Sequence, residues 1–515
     1  MIAHVTSAAL RGIDGLLVEI EVRRRPRPEP LAVVVGLPDA AVRESRERVE
    51  AAIRSTGYRY PGGKITVSLA PADVRKEGPA YDLPIALGIL ASAGVVSVTG
   101  LAATAAVGEL ALDGRVRSVK GVLAMAVTCR DRGVRRLIAP AENAREAAVV
   151  AGLDVFPVRT LADAVRLLNG TEGAPARVAP GAVAAEGGGA DEVDFAEVKG
   201  QDHVKRALLI AAAGGHNLLL LGPPGTGKTM LARRLPTILP PLTLEESLET
   251  TKIHSVAGVL PAGVGLLVAR PFRAPHHTVS EPALVGGGTV PRPGEVSLAH
   301  HGVLFLDELP EFNRRTLEVL RQPLEDGSVT IGRAAAALTF PSRIMLVAAM
   351  NPCPCGYATD ARRTCTCTPR QVQAYMAKIS GPLLDRIDLH VEVPAVTADA
   401  ILGRADGRSS ASMRQEVIRV RDIQARRFAG ERAAASLLNA RMGSRLLRRH
   451  CDLDADGKAL LRQALDELGL SARATTRILK VARTIADLEG AEAIGIAHLS
   501  EAIQYRTLDR VEARM

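Results

Sequence analysis

The sequence predicts an α/β chain of three folded regions with a doubly wound parallel sheet in the middle one. Three observations predict this. Leu218–Thr229 reads LLLLGPPGTGKT, an apolar strand that enters a glycine-rich turn and then a helix. Two later apolar runs, Gly302–Leu306 and Ile344–Ala349, lead into Asp307 with Glu308 and into Asn351. Parallel strands that deliver polar residues to one edge are what such a sheet provides. Upstream, short apolar strands alternate with helical patterns, and over about 413–515 the periodicity is helical throughout.

A length of 515 residues suits about three domains. A hydrophobic share of 47% with 23% charged residues fits a soluble globular chain and excludes a disordered one. Aromatics are 3% and Trp is absent, so the cores must be built from Ala, Val, Leu and Ile. The net charge of +9 permits an anionic partner such as nucleic acid without demanding one. The N-terminal MIAHVTSAALRGIDG lacks the basic segment and apolar core of a signal peptide. Leu83–Gly108 is uncharged and long enough to span a bilayer, but Pro84 and glycines at 88, 94 and 100 break it. A buried helix plus a strand accounts for it, so no membrane span is expected. Four of the six cysteines fall in one short segment. That pattern points to a reducing compartment and a metal site rather than a disulfide framework, hence to a cytoplasmic protein.

In chain order, residues 1–170 carry the strands LLVEIEV, LAVVVGL and KITVSLA and helical patterns over Asp39–Thr56 and Gly121–Arg132, which predicts a compact α/β domain. Residues 171–192, rich in Ala, Pro and Gly, predict a flexible linker. Residues 193–395 form the nucleotide-binding domain. After a polar break near 403–412, residues 413–515 form helices that include Leu460–Leu468, Thr475–Leu488 and His498–Tyr505.

The loop Gly222, Pro223, Pro224, Gly225, Thr226, Gly227, Lys228, Thr229 has the spacing of a phosphate cradle. Its glycines let backbone N–H groups close on phosphate oxygens, and the following helix adds its positive N-terminal dipole. Lys228 supplies a cation to the β- and γ-phosphates, and Thr229 an oxygen for Mg²⁺. Asp307 would hold the hydrated Mg²⁺, and Glu308 would polarise the attacking water as general base. Asn351 would orient that water; a turn-forming Asn before Pro352 is the other reading. ATP and Mg²⁺ are therefore the expected ligands.

These motifs together resemble the AAA+ ATPases. VKGQDHVKRAL at 198–208 is similar to the segment that packs on the adenine, with Val198, Gly200 and Gln201 in the matching places. GPLLDRIDLHVEV at 381–393 resembles the segment whose arginine reaches a neighbouring subunit's γ-phosphate, which makes Arg386 the expected finger. SARATTRILKVARTIADL at 471–488 resembles the helical lid with a second arginine sensor, with Arg473 matching best and Arg477 in reserve. Each arginine could equally be a salt-bridged surface residue. PFRAPHHTVSEPALVGGG, LPEFNRRTLEVLRQPLEDG and the four-cysteine insert narrow the resemblance to magnesium-chelatase-like AAA+ ATPases of the ComM or YifB type. That resemblance implies a ring, commonly a homo-hexamer, with the segment around 254–300 and a hairpin around 328–343 facing its pore. It makes Arg333 the hairpin residue that would touch a translocated strand; an ordinary exposed hairpin arginine is the alternative.

Cys353 and Cys355 form one C-x-C pair, and Cys365 and Cys367 a second. Four thiolates so arranged could hold zinc tetrahedrally; reduced thiols in a polar loop are the other reading. Cys129 and Cys451 are isolated packing residues. KEGPAYDLPIALGIL and GELALDGRVRSVKGVLAMA resemble the proteolytic domain of Lon-type proteases, an S5 domain 2-like α/β fold. The serine position there is Ala80 and the lysine position falls on Leu123 or Met125, with Ser118 and Lys120 out of register. Without nucleophile and base there is no acyl transfer, so this region would serve as a scaffold or bind a protein partner.

The resemblance implies a motor that hydrolyses ATP and moves DNA, as in branch migration during recombination or natural transformation. The alternatives are a metallochelatase subunit that drives Mg²⁺ into a porphyrin, and a protein-remodelling chaperone.

Overall fold

Alternating burial along Ile2–Arg11 (β1) and Asp14–Arg25 (β2) gives a long antiparallel hairpin whose inward residues Val5, Val18, Ile20 and Val22 are buried. The computed structural model describes residues 2–25, 31–74, 76–179, 193–288, 291–333, 336–360, 362–396, 407–431 and 437–506. They fall into two compact units, one of residues 1–187 with 243–268, the other of 188–242 with 269–515.

In the first unit the hairpin joins Leu31–Val35 (β3), Lys64–Ala70 (β4), Thr104–Ala106 (β5), Arg136–Pro140 (β6) and Asp154–Val158 (β7) in one mixed sheet of order β3-β4-β2-β1-β5-β6-β7. Helix α1 (Ala40–Ser55) starts where the Asp39 carboxylate accepts from Val42 N at 2.7 Å. Its stripe of Val42, Val49, Ala52 and Ile53 is fully buried. The uncharged Leu83–Gly108 run becomes helix α2 (Asp82–Ser92), buried all round, a short helical turn and β5. No helix among the described residues is long and apolar enough to cross a membrane.

The grouping by contact differs from the expected 193–395 region. Residues 243–268 pack with the first unit, although both ends of the segment join the second. The helix Leu244–Ala257 opens on a Thr243/Glu246 capping box. Ser255 donates to the buried Glu146 at 2.5 Å and accepts from Gly121 N at 3.1 Å, at the start of α3 (Val122–Asp131). Lys252 reaches Asp14 at 2.6 Å. The predicted linker 171–192 is described only up to residue 179.

The second unit carries the all-parallel sheet. Its strands are Leu218–Leu221 (β8), Phe272–Arg273 (β9), Val303–Leu306 (β10), Met345–Met350 (β13) and Leu389–Glu392 (β14), in the order β9-β10-β13-β8-β14. Between β10 and β13 the chain makes the antiparallel hairpin Ser328–Arg333 (β11) and Ala336–Pro341 (β12). Arg333, predicted to touch a translocated strand, pairs with Ala336 through its backbone at the hairpin end, and its side chain lies outside the described set. Helix α4 (Asp202–Gly214) and helix α5 (Lys228–Ile238) flank the sheet. The C-terminal helices, including α6 (Ser410–Arg427) and α7 (Ala472–Glu489), share one hydrophobic core with it. Arg421 and Gln424 of α6 donate to the carbonyls of Ala212 and Ala213, which the end of α4 leaves unpaired. The region expected as a separate lid therefore packs as part of this unit.

Candidate nucleotide site

The loop between β8 and α5 forms where two close backbone approaches meet. Gly222 N donates to Met350 O at 3.2 Å, and a Cβ on Gly222 would lie 2.2 Å from Val393 O. Only glycine fits between β13 and the end of β14. Gly227 takes φ 85 and caps α5, whose first residue is Lys228. Lys228 Nζ donates to the carbonyls of Gly222 at 2.7 Å and Pro223 at 2.8 Å and to Asn351 Oδ1 at 3.1 Å. Burial lowers the pKa of this ammonium, with the Asp307 charge acting against the shift. Thr226 Oγ1 also donates to Pro223 O, at 3.0 Å.

Thr229 Oγ1 donates to Asp307 Oδ2 at 2.6 Å, so the strand-end carboxylate and the loop hydroxyl already touch. A hydroxyl and a carboxylate oxygen side by side form the hard-oxygen donor set that Mg²⁺ takes. Glu308 follows in the left-handed region at φ 52, and its carboxylate lies 3.4 Å from His277 Nδ1. His277, in the PHH segment, had no role assigned from sequence, since a histidine pair in a loop carries no spacing signal. Gln201, also left-handed at φ 57, donates through Nε2 to Thr226 O at 2.9 Å and to Pro394 O at 3.3 Å. Its buried Oε1 accepts no hydrogen bond from a described residue, which suits a ligand donor such as an adenine amino group.

The structure thus brings Gln201, Lys228, Thr229, Asp307, Glu308 and Asn351 to the C-terminal edge of one sheet. The predicted arginines lie elsewhere. Arg386 precedes β14 by three residues, and Leu389 pairs with Leu218 at the start of β8. It therefore stands at the N-terminal edge, separated from its own loop by a four-residue strand, about 13 Å. Its side chain is 5% exposed; Nη2 donates to Glu325 and Nη1 to Pro382 O. Arg477 is at that same edge, ion-paired with the buried Asp388. Burial alone would raise the Asp388 pKa, but Arg477 and His216 (Nδ1 at 3.4 Å) hold it well below the usual carboxylate range. Arg473, the preferred sensor, is exposed one helical turn earlier on α7. A cavity of about 450 Å³ opens at this edge, lined by Asn217, Glu325, Arg343, Asp388, Arg441 and Arg477.

Beyond Asn351 the four expected cysteines converge. Cys353 Sγ lies 3.4 Å from Cys355 Sγ and 3.7 Å from Cys365 Sγ, and Cys355 and Cys365 are 3.6 Å apart. Cys367 Sγ accepts from Cys355 N at 3.4 Å, and all four thiols are free. In the first unit, Ala80 lies in a buried turn, Leu123 and Met125 are buried in α3, and Ser118 and Lys120 are exposed.

A parallel sheet of this strand order, with a lysine-bearing glycine loop and an Asp-Glu pair at one edge, defines a P-loop nucleotide-binding protein. Three family models match: "Magnesium chelatase, subunit ChlI" over residues 194–401, "Subunit ChlI of Mg-chelatase" over 18–143, and "Magnesium chelatase, subunit ChlI C-terminal" over 407–506. The competence protein ComM of Haemophilus influenzae is 46% identical over 99% of this chain and 98% of its own. YifB of Escherichia coli is 43% identical over 98% and 97%. The magnesium-chelatase 38 kDa subunit of Rhodobacter capsulatus is 27% identical over 59% of this chain and 84% of its own. The chain belongs to the ComM/YifB family of magnesium-chelatase-like AAA+ proteins. Membership implies the use of ATP and Mg²⁺, which the donor set at Lys228, Thr229 and Asp307 fits.

Proposed function

We propose that this chain is an ATP-hydrolysing motor that assembles as a ring, commonly a hexamer, and acts on DNA in branch migration. One observation carries the assembly: the phosphate-binding residues and Arg386 occupy opposite edges of the same sheet. An arginine so placed cannot serve its own pocket but suits a neighbour's, which makes turnover depend on assembly. Within the site, Lys228 binds phosphate, Thr229 and Asp307 would hold Mg²⁺, and Asn351 and Glu308 orient and deprotonate water. Bound Mg²⁺ supplies charge neutralisation at the β- and γ-phosphates.

For DNA, the support is the family resemblance, the relative named a competence protein and the +9 net charge. Full-length similarity to ComM and YifB favours this reading over a chelatase subunit, since the named chelatase relative matches only 59% of the chain. The first unit, without a serine at Ala80, is read as a non-proteolytic Lon-like scaffold that recruits a protein partner. ATP turnover measured with and without four-way DNA tests the proposal. Stimulation by DNA, abolished in Glu308→Gln, is expected; equal turnover with and without DNA would favour a remodelling chaperone.

A further inference from the structure

The geometry points to a mononuclear zinc site at Cys353, Cys355, Cys365 and Cys367 that fixes the nucleotide loop from outside. The sulfur separations among Cys353, Cys355 and Cys365, 3.4, 3.6 and 3.7 Å, are far beyond a disulfide's ~2.05 Å. They approach the edge of a ZnS₄ tetrahedron, which at a Zn–S distance of about 2.3 Å is about 3.8 Å. All four sulfurs lie within 4.8 Å of one another, too close to grip the corners of an iron–sulfur cluster but right for one ion. Backbone amides already point at the set: Cys355 N donates to Cys367 Sγ and Cys367 N to Cys365 Sγ, each at 3.4 Å. Such donors stabilise thiolates and orient them, as outer-shell partners do around metals.

The site's position gives it a second consequence. Cys353 is two residues past Asn351, whose side chain accepts from Lys228. Inside the cysteine loop, Gly356 takes φ 87 and packs so closely on Pro224 that a Cβ there would lie 2.7 Å from Pro224 Cδ. Gly356 N is tied to Cys353 O at 3.0 Å, so the ligand turn itself presses on the phosphate loop. On its return the loop enters the helix Pro369–Met376 through a Thr368/Gln371 capping box, so both ends are anchored. Zinc holds the inner turn rigid; without it, the turn that positions Pro224 and Asn351 loses its cross-link. This second part rests on the nucleotide-binding reading above, while the metal site stands alone.

Metal analysis of the purified full-length protein is expected to give one zinc per chain. Cobalt(II) replacement is expected to show the intense visible bands of tetrahedral thiolate coordination. Cys355→Ser and Cys365→Ser lose the metal, and Cys451→Ser, outside the cluster, keeps it. Iron in place of zinc, no metal, or retention in both cluster variants would overturn the site. Folded parent protein stripped of metal by a mercurial and then reduced is expected to bind a fluorescent ATP analogue about tenfold more weakly, with recovery on adding Zn²⁺. Unchanged affinity after stripping would overturn the coupling alone, and failure of the zinc-loaded protein to bind the analogue would instead count against the nucleotide-binding reading.

Discussion

A single methyl group at Gly222 should disable the site. In Gly222→Ala the new Cβ would lie 2.2 Å from Val393 O, where ordinary contact begins at 3.4 Å, so about 1 Å must be found. Neither side yields easily. Val393 N donates to Leu221 O at 2.6 Å and Gly222 N to Met350 O at 3.2 Å, pinning the loop entrance between two strands. Overpacking of this kind costs about 1–3 kcal/mol. Gly222's own carbonyl accepts from Lys228 Nζ at 2.7 Å, so a shift of the loop entrance away from Val393 O moves the lysine with it. A misplacement near 1 Å in a reacting site costs on the order of a hundredfold in rate. Urea unfolding, titration with a fluorescent ATP analogue and ATP turnover are the assays, with Gly62→Ala as control because a Cβ there meets nothing within 4 Å. The control should match the parent, while Gly222→Ala should lose stability and most turnover together. Parental turnover and stability in Gly222→Ala would refute the reasoning.

Two further outcomes concern the first unit. Asp82 is fully buried beside Arg48 (2.8 Å), and burial, opposed by that arginine, pushes its pKa up to about 6. The folded state therefore holds this proton more tightly than the unfolded chain. Its stabilising contribution, about 3 kcal/mol for roughly two pKa units, is complete below about pH 4 and is lost as pH rises through 6. Urea unfolding at pH 4.5 and 7 should show a smaller loss over that interval in Asp82→Asn than in the parent, and an equal loss would contradict this. Ser255→Ala removes a donor from the buried Glu146 carboxylate and should cost about 1–3 kcal/mol. Amide hydrogen exchange should quicken in both α3 and the helix Leu244–Ala257; loosening of that helix alone would contradict their shared packing.

How much was legible follows the range of each signal. The phosphate loop, the Asp307–Glu308 pair and Asn351 were readable because each motif is local and ends an apolar strand. Helices α1 and α3 were readable to within a residue or two, with Asp39 and Gly121 marking their starts. β1 escaped because small residues fill its buried positions, Ala3, Ser7 and Ala9 on one face and Ala8 on the other, and give little alternation in hydropathy. The transfer of residues 243–268 to the first unit depends on contacts such as Lys252–Asp14 and Ser255–Glu146, which leave no trace in local pattern. The cysteine pairs announced themselves by spacing, but their contact with Pro224 through Gly356 is a property of the fold.

The proposed interface-shared site is tested most directly by mixing two variants expected to be inactive alone, Arg386→Ala and Glu308→Gln. A pocket is intact only where an Arg386→Ala subunit supplies the loop and carboxylates and a Glu308→Gln neighbour supplies the arginine. Equal, random co-assembly leaves about a quarter of the interfaces in that state, so about a quarter of parental ATP turnover should return on mixing. No recovery from co-assembled variants, or an Arg386→Ala protein as active as the parent, would contradict the account.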